Sequence, residues 1–150
     1  MRDGGREEKN RRFPILYLNF RHFLEICRDA LLKEEYEEAD IDREMAIITV
    51  QLGYVYQLQG KVTEALQLYY GILKSRAGDK AIAAVTSNNV IAAKGETELF
   101  DSMRRYKIAS APGLESKLTT SQRTVIALNG AILSLYRKKV ILKVYGDEYM

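Results

Sequence analysis

Between Pro14 and Arg137, apolar residues recur at three- and four-residue steps in one segment after another, the spacing that gathers side chains on one face of a helix. No stretch shows a period-two alternation of similar strength, so the predicted fold class is all-α. Ile15, Leu18, Phe23, Ile26, Cys27, Ala30 and Leu31 define a first helix from Pro14, a residue suited to a first turn, to about Lys33. The acidic stretch KEEYEEADIDRE (Lys33–Glu44) is expected to be a solvated linker that sets negative charge ahead of the next helix. It lacks the ligand spacing of a calcium loop, including the central Gly.

A second helix is predicted over Arg43–Gln59, capped by Gly60, and a third over Val62–Ser75, ending near Gly78. A fourth spans Asp79–Lys94 and stops at Gly95, and a fifth runs from Glu96 or Thr97 to Arg105. Pro112 and Gly113 mark Lys107–Leu118 as a loop. Thr119 with Gln122 forms a capping box that opens a sixth helix, predicted to reach about Arg137. Residues 1–12 are expected to be disordered, 13–139 to form one helical domain, and 140–150 to be an unassigned tail.

Within this frame, LGYVYQLQGKVTEALQLYYGIL (Leu52–Leu73) places Gly53, Ala65 and Gly71 among bulky neighbours. Helix starts near Ala46 and Lys80 lie 34 residues apart, the period of the tetratricopeptide helical hairpin. Counting from Ala46, the large–small pair is Leu52-Gly53, followed by Tyr56, Ala65 and Tyr69. Where two helices cross, a small residue on one admits a ridge from the other. Gly53 and Ala65 are thus the expected holes, and Tyr56 and Tyr69 the knobs. Glycine costs a helix about 1 kcal/mol relative to alanine, so tight packing at Gly53 is the expected compensation. Thr49, Ile72 and Ala77 depart from the usual Trp, Ala and Pro. The next unit, from Lys80, has Ser87 at the small position and Leu99 where Ala is usual, and a third begins near Thr124 with Ala131 as its small residue. The expected architecture is a short right-handed α-solenoid of such hairpins.

Composition narrows the function. A chain of 150 residues, 47% hydrophobic and 29% charged, suits one globular domain, and a net charge of +3 does not by itself point to nucleic acid. The single cysteine, Cys27, forms no internal disulfide and reads as a small buried hydrophobe in a reducing compartment. No apolar run approaches the ~18 residues of a membrane span. FPILYLNF (Phe13–Phe20) is followed by Arg21 and His22 where a signal peptide would have small residues. His22 is the only histidine, and no phosphate loop or dinucleotide fingerprint occurs. Asp101-Ser102 reads as a polar pair inside a helix. Neither an enzyme nor a cofactor is expected.

AIITVQLGYVYQLQGKVTEALQLYYGILK (Ala46–Lys74), the Asn88-Asn89 pair, LFDSMRRYKIA and KLTTSQRTVIALNGAILSLY occur here in a fixed order and spacing. From about Glu25 to Lys139 the chain resembles the 72-kilodalton subunit family of the signal recognition particle. The resemblance implies a non-enzymatic scaffold that pairs with the particle's 68-kilodalton subunit in delivering ribosomes that make secretory proteins to the endoplasmic reticulum. It implies a cytoplasmic protein, transiently at the reticulum surface, without membrane insertion. In that family the contact with the particle's 7S RNA lies in a basic segment downstream of the repeats. This chain stops short of such a segment, so the RNA is expected to be reached through the complex.

First helices of such hairpins line a concave face. Expected partner-binding residues are Ile47, Val50, Tyr54, Gln57 and Leu58 from one helix, Ala84, Asn88 and Ile91 with Ala92 from the next, and Val125, Leu128 and Ile132 with Tyr136 from the last. Gln57 and Asn88 are expected to hold a partner's backbone amide. One alternative fills the groove with residues 107–118 or the tail. Another is a chaperone adaptor that captures an acidic peptide, but its lysine and asparagine clamp positions are occupied by Val50 and Tyr54. A third binds RNA through Arg104, Arg105 and Lys107, or Arg137, Lys138, Lys139 and Lys143, residues that equally complement helix dipoles.

Overall fold

A computed structural model describes residues 22–75 and 79–146. The segment 1–12 expected to be disordered, the start of the first helix and the predicted stop at Gly78 lie outside the described residues. Those residues contain helices and no strand. We number the helices α1 (residues 22–33), α2 (Glu38–Leu58), α3 (Val62–Ser75), α4 (Lys80–Lys94), α5 (Leu99–Ala109) and α6 (Thr120–Gly146). They fall into two compact units, one up to Gly78 and one from Asp79, and each is taken by itself.

In the first unit, α2 begins at Glu38 rather than Arg43, which shortens the predicted acidic linker to residues 34–37. Ile41 explains the early start: it is fully buried, and a helical turn is what carries it into the core. Glu38 and Asp40 lie in the first turn, where carboxylates favour a helix N-terminus. The inward face of α1 is Leu24, Cys27, Arg28 and Leu31, whereas Phe23 and Ile26 are exposed. Arg28 accounts for this rotation from the predicted face, donating to Asp42 Oδ1 at 3.2 Å and Glu38 Oε1 at 3.3 Å.

The end of α2 matches the glycine stop. Gly60 is left-handed (φ 77°), its N–H donates to Gln57 O at 3.0 Å, and the Lys61 N–H donates to Tyr56 O at 2.9 Å. This is the paired C-terminal motif that satisfies otherwise orphaned carbonyls. The reversal brings α3 back against α2, with Ala65 and Tyr69 fully buried. A Cβ built on Gly53 would lie 2.5 Å from Tyr69 Cε1, so Gly53 is the hole that admits this ring. The Tyr69 hydroxyl donates to Gln57 Oε1 at 3.0 Å.

In the second unit, Asp79 caps α4 by accepting from the Ala81 and Ile82 N–H groups at 2.8 and 3.0 Å. Gly95 has a positive φ (58°), which favours glycine, and ends the helix as predicted. Helix α5 starts at Leu99, later than predicted, because Thr97 turns back on α4: its hydroxyl and its N–H both donate to Lys94 O, at 2.7 and 3.1 Å. This delay moves the small position of the hairpin from Leu99 to Ser102, which is fully buried. The helix then runs on to Ala109, into the predicted loop. The rest of that loop tucks Leu114 and Leu118 into a core with Ala84, Ala109 and Ile126.

Helix α6 opens with the predicted capping box: the Thr119 N–H donates to Gln122 Oε1 at 2.9 Å and the Gln122 N–H to Thr119 Oγ1 at 3.2 Å. It continues to Gly146, well past Arg137, so most of the unassigned tail is helical. Its small residue is Gly130 rather than Ala131. A Cβ on Gly130 would collide with the Tyr106 ring, whereas Ala131 is exposed.

Candidate partner-binding site

On α2, Ile47, Tyr54 and Leu58 are exposed and fall at seven- and four-residue steps, so they share one face. Gln57 lies beside them, half-buried, with its side-chain oxygen accepting from Tyr69. Its amide Nε2 is not used by that bond and keeps its donors. Val50 requires correction. It is buried, with 4% of its surface exposed, and it serves the core rather than an open face.

The second unit brings together α4 and α6 in a way the repeat pattern did not foresee. Ala84 is fully buried in the core formed with Leu114, Leu118 and Ile126. Asn88 is also buried, and its Oδ1 accepts from Asn129 Nδ2 at 2.9 Å. That bond occupies the carbonyl expected to hold a partner's backbone. Ile91 is buried too, but it lines a cavity of about 150 Å³ together with Ala92, Asn129, Ile132, Leu133 and Tyr136. Residues 107–118 therefore cover part of the face expected from α4, as the internal-filling alternative anticipated, while the Ile91 end stays open. On α6, Val125 and Leu128 are exposed and Ile132 is half-buried. Leu135 and Leu142, also exposed, were missed. The signal was present in the seven-residue steps from Leu128 to Leu135 to Leu142, hidden by the β-branched look of VILKVYG.

Charges are organised chiefly around Asp101. Lys94 Nζ donates to Asp101 Oδ2 at 2.9 Å and to Glu98, and Arg105 Nε donates to Asp101 Oδ2 at 2.8 Å. Burial pushes the Asp101 carboxyl up, but the bonds and charges of Lys94 and Arg105 outweigh it and hold the group below its ordinary value. Arg105 is therefore held in this cluster, which weakens the RNA reading of the Arg104–Lys107 segment. At the far end of α6, Lys139 donates to Glu96 Oε2 at 2.9 Å, an exposed bond that raises the lysine pKa. Among the described residues no group of three or more His, Cys, Asp or Glu is placed to hold a metal ion, and no helix is long and apolar enough to cross a membrane. What the arrangement presents at the exposed positions of α2 and α6 is apolar surface.

No protein-family model matches the chain. Among curated proteins it is 39% identical to signal recognition particle subunit SRP72 of Homo sapiens over 113 residues, which are 75% of this chain and 17% of the human protein. It is 37% identical to the SRP72 of Schistosoma mansoni over 106 residues (71% of this chain, 15% of that protein). With the Caenorhabditis elegans SRP72 it shares 35% over 112 residues (75% and 18%). The aligned region thus spans less than a fifth of the length of these relatives. Over about three quarters of its length, this chain is related in sequence to the SRP72 subunit of the signal recognition particle.

Proposed function

We propose that this chain is a protein-binding scaffold of the signal recognition particle, taking the particle's 68-kilodalton subunit on the exposed faces of its first-in-hairpin helices. The relationship to SRP72 subunits supports membership of the particle. The observation that carries the binding role is the exposed row Ile47, Tyr54 and Leu58 on α2, next to a glutamine amide with donors to spare. Large apolar side chains held out on one rigid helix face are the usual anchors of a protein interface. In the second unit the corresponding surface is Val125, Leu128 and Ile132 beside the cavity floored by Ile91. In this reading the protein works in the cytoplasm and at the endoplasmic reticulum surface as part of the complex, and meets the 7S RNA through its partners.

The test is capture of the 68-kilodalton subunit by the full chain. Tyr54→Glu with Leu58→Glu should abolish capture while the far-ultraviolet helical signal stays unchanged, because both side chains already lie in water. Undiminished capture rejects the α2 face. Val50, expected from the sequence to line the same face, is unsuitable for this test, since a charge there would be buried and would unfold the hairpin. A chaperone-adaptor role is disfavoured on the same residues: Val50 and Tyr54 supply neither the positive charge nor the side-chain amide of a carboxylate clamp.

A further inference from the structure

Helix α6 carries two apolar stripes. The first, Ile126, Gly130 and Leu133, faces its own unit. The second is Val125, Leu128, Ile132, Leu135 and Leu142, with Lys139 completing alternating three- and four-residue steps. Leu128, Leu135 and Leu142 are 58%, 65% and 61% exposed, too much apolar surface for a helix whose only task is to pack inward. The spacing is that of a coiled-coil seam, running about 26 Å at a helical rise of 1.5 Å per residue. Ile132 belongs both to the seam and to the wall of the cavity beside Ile91. A cavity of about 150 Å³ is the size that accepts a phenyl ring or a leucine side chain.

The charge on this helix selects the occupant. Helix α6 holds Arg123, Arg137, Lys138, Lys139 and Lys143 and no aspartate or glutamate. A parallel second copy laid along the seam would bring Arg137, Lys138 and Lys143 together, and an antiparallel copy would set them against the Arg123 half of α6; in both cases no carboxylate on α6 meets them. RNA would match the charge but leave the leucines in water. Resting on the protein-binding reading above, we propose that the α6 seam docks an acidic amphipathic helix of a protein partner, one large apolar side chain entering the Ile91–Tyr136 cavity and the partner's carboxylates flanking Arg137, Lys138 and Lys143. Lys139, at a seam position and bonded to Glu96, would fix register in the way a single polar residue does in a coiled coil.

The test uses the full chain and three probes. One is a synthetic helical peptide with leucine and isoleucine at its seam positions and glutamate beside them, the second is the same peptide with lysine for glutamate, and the third is an RNA hairpin. The glutamate peptide should bind, more weakly as salt rises, and the lysine peptide should not. Leu128→Glu with Leu135→Glu should reduce binding at least about tenfold without loss of helicity, and Arg137→Glu with Lys138→Glu should reverse the preference between the peptides. Equal binding of both peptides, or no binding of either, overturns the proposal. So does a dimer in sedimentation that the leucine variant dissolves, which would make a second copy the occupant. RNA binding that survives the leucine variant and displaces the glutamate peptide overturns it as well. Capture of the 68-kilodalton subunit separates this proposal from the broader one. Loss only in the Tyr54/Leu58 variant leaves the α2 face standing and removes the seam, and loss only in the Leu128/Leu135 variant does the reverse.

Discussion

Ala65 and Tyr69 are the fourth and eighth residues of α3, and Ser102 and Tyr106 are the fourth and eighth of α5. The two second helices therefore carry the same sizes at the same places, yet they use them differently. Tyr69 is fully buried, lays the edge of its ring on Gly53 of the helix before it and bonds to Gln57 through its hydroxyl. Tyr106 is half-buried and brings the tip of its ring to Gly130 of the helix after it. The surroundings differ as well. The α4–α5 pair buries Thr86, Ser87, Asn88 and Ser102 and carries the Lys94–Asp101–Arg105 cluster, whereas the buried residues of α3 are an alanine and a tyrosine. A helical-hairpin repeat prescribes side-chain volume at its crossing, and leaves open the polarity of the small residues and the direction in which the aromatic points.

The largest expected effect tests the two glycines against each other. Gly53→Ala should destabilise the protein by about 2–3 kcal/mol, because the methyl meets the side edge of a ring that is fully buried, and overpacking outweighs the helix propensity gained. Gly130→Ala meets only the far end of a ring that is partly in solvent and can swing aside, so its cost should be about 1 kcal/mol or less. Urea denaturation of both variants measures the difference. Equal costs would mean that the two tyrosines are equally confined and that the contrast between the units is illusory.

The second expected effect is electrostatic and belongs to the second unit. Asp101→Asn removes the charge that Lys94 and Arg105 share. Lys94 keeps only 6% of its side chain in water, while Asp101 keeps 31%, so the loss is discounted for screening to about 1–2 kcal/mol. The sign with pH follows from the depressed carboxyl. Its contribution is whole above the ordinary value of 3.8 and is lost as pH falls through the lower folded value. Thermal unfolding of the wild type and the variant should therefore converge in acid. Amide exchange resolved by residue should show α5 loosening there before α3, whose hydrogen bond from Tyr69 to Gln57 is between neutral groups. Convergence of the melting curves without that order would place the acid sensitivity elsewhere.

Much of this was legible in the sequence because it depends on local rules. Gly60 and Gly95 end helices where they were expected to, Asp79 caps α4, and Thr119 and Gln122 bond reciprocally. Gly53 against Tyr69 could be read from the repeat because the spacing within one hairpin is fixed by a three-residue turn. The errors arose where a loop changed the register. One turn made by Thr97 moved α5, and with it the small position from Leu99 to Ser102. Starting the third unit at Thr124 then put the small position at Ala131, one residue past Gly130, where the Tyr106 ring makes its close approach. The partner-binding residues on α4 were misjudged for another reason. Burial of Ala84 and Asn88 comes from residues distant in sequence, and periodicity along one helix does not reveal what packs on it. Gly71 is a different case, since nothing lies within 4 Å of a Cβ built there, and the structure gives no packing reason for a glycine.

The finest difference between the hairpins lies in two oxygen atoms. Ser87 Oγ and Ser102 Oγ are fully buried and have no hydrogen-bond partner among the described residues, on helices that pack against each other. A buried hydroxyl without a partner forfeits its hydration and gains nothing in return. Alanine at either position keeps nearly the same volume, removes that penalty and has the better helix propensity, so Ser87→Ala and Ser102→Ala should each stabilise the protein by about 1 kcal/mol. The reciprocal change in the first unit, Ala65→Ser, should cost about as much, because it puts the same unpaired oxygen into a site that is already apolar and fully buried. Denaturation midpoints that move in these opposite directions, with unchanged slope, would show that the crossings differ by polarity at equal size. If the serine-to-alanine changes instead destabilise, the hydroxyls are bonded in solution, to buried water or to each other, and the second crossing is held together by the very atoms that distinguish it from the first.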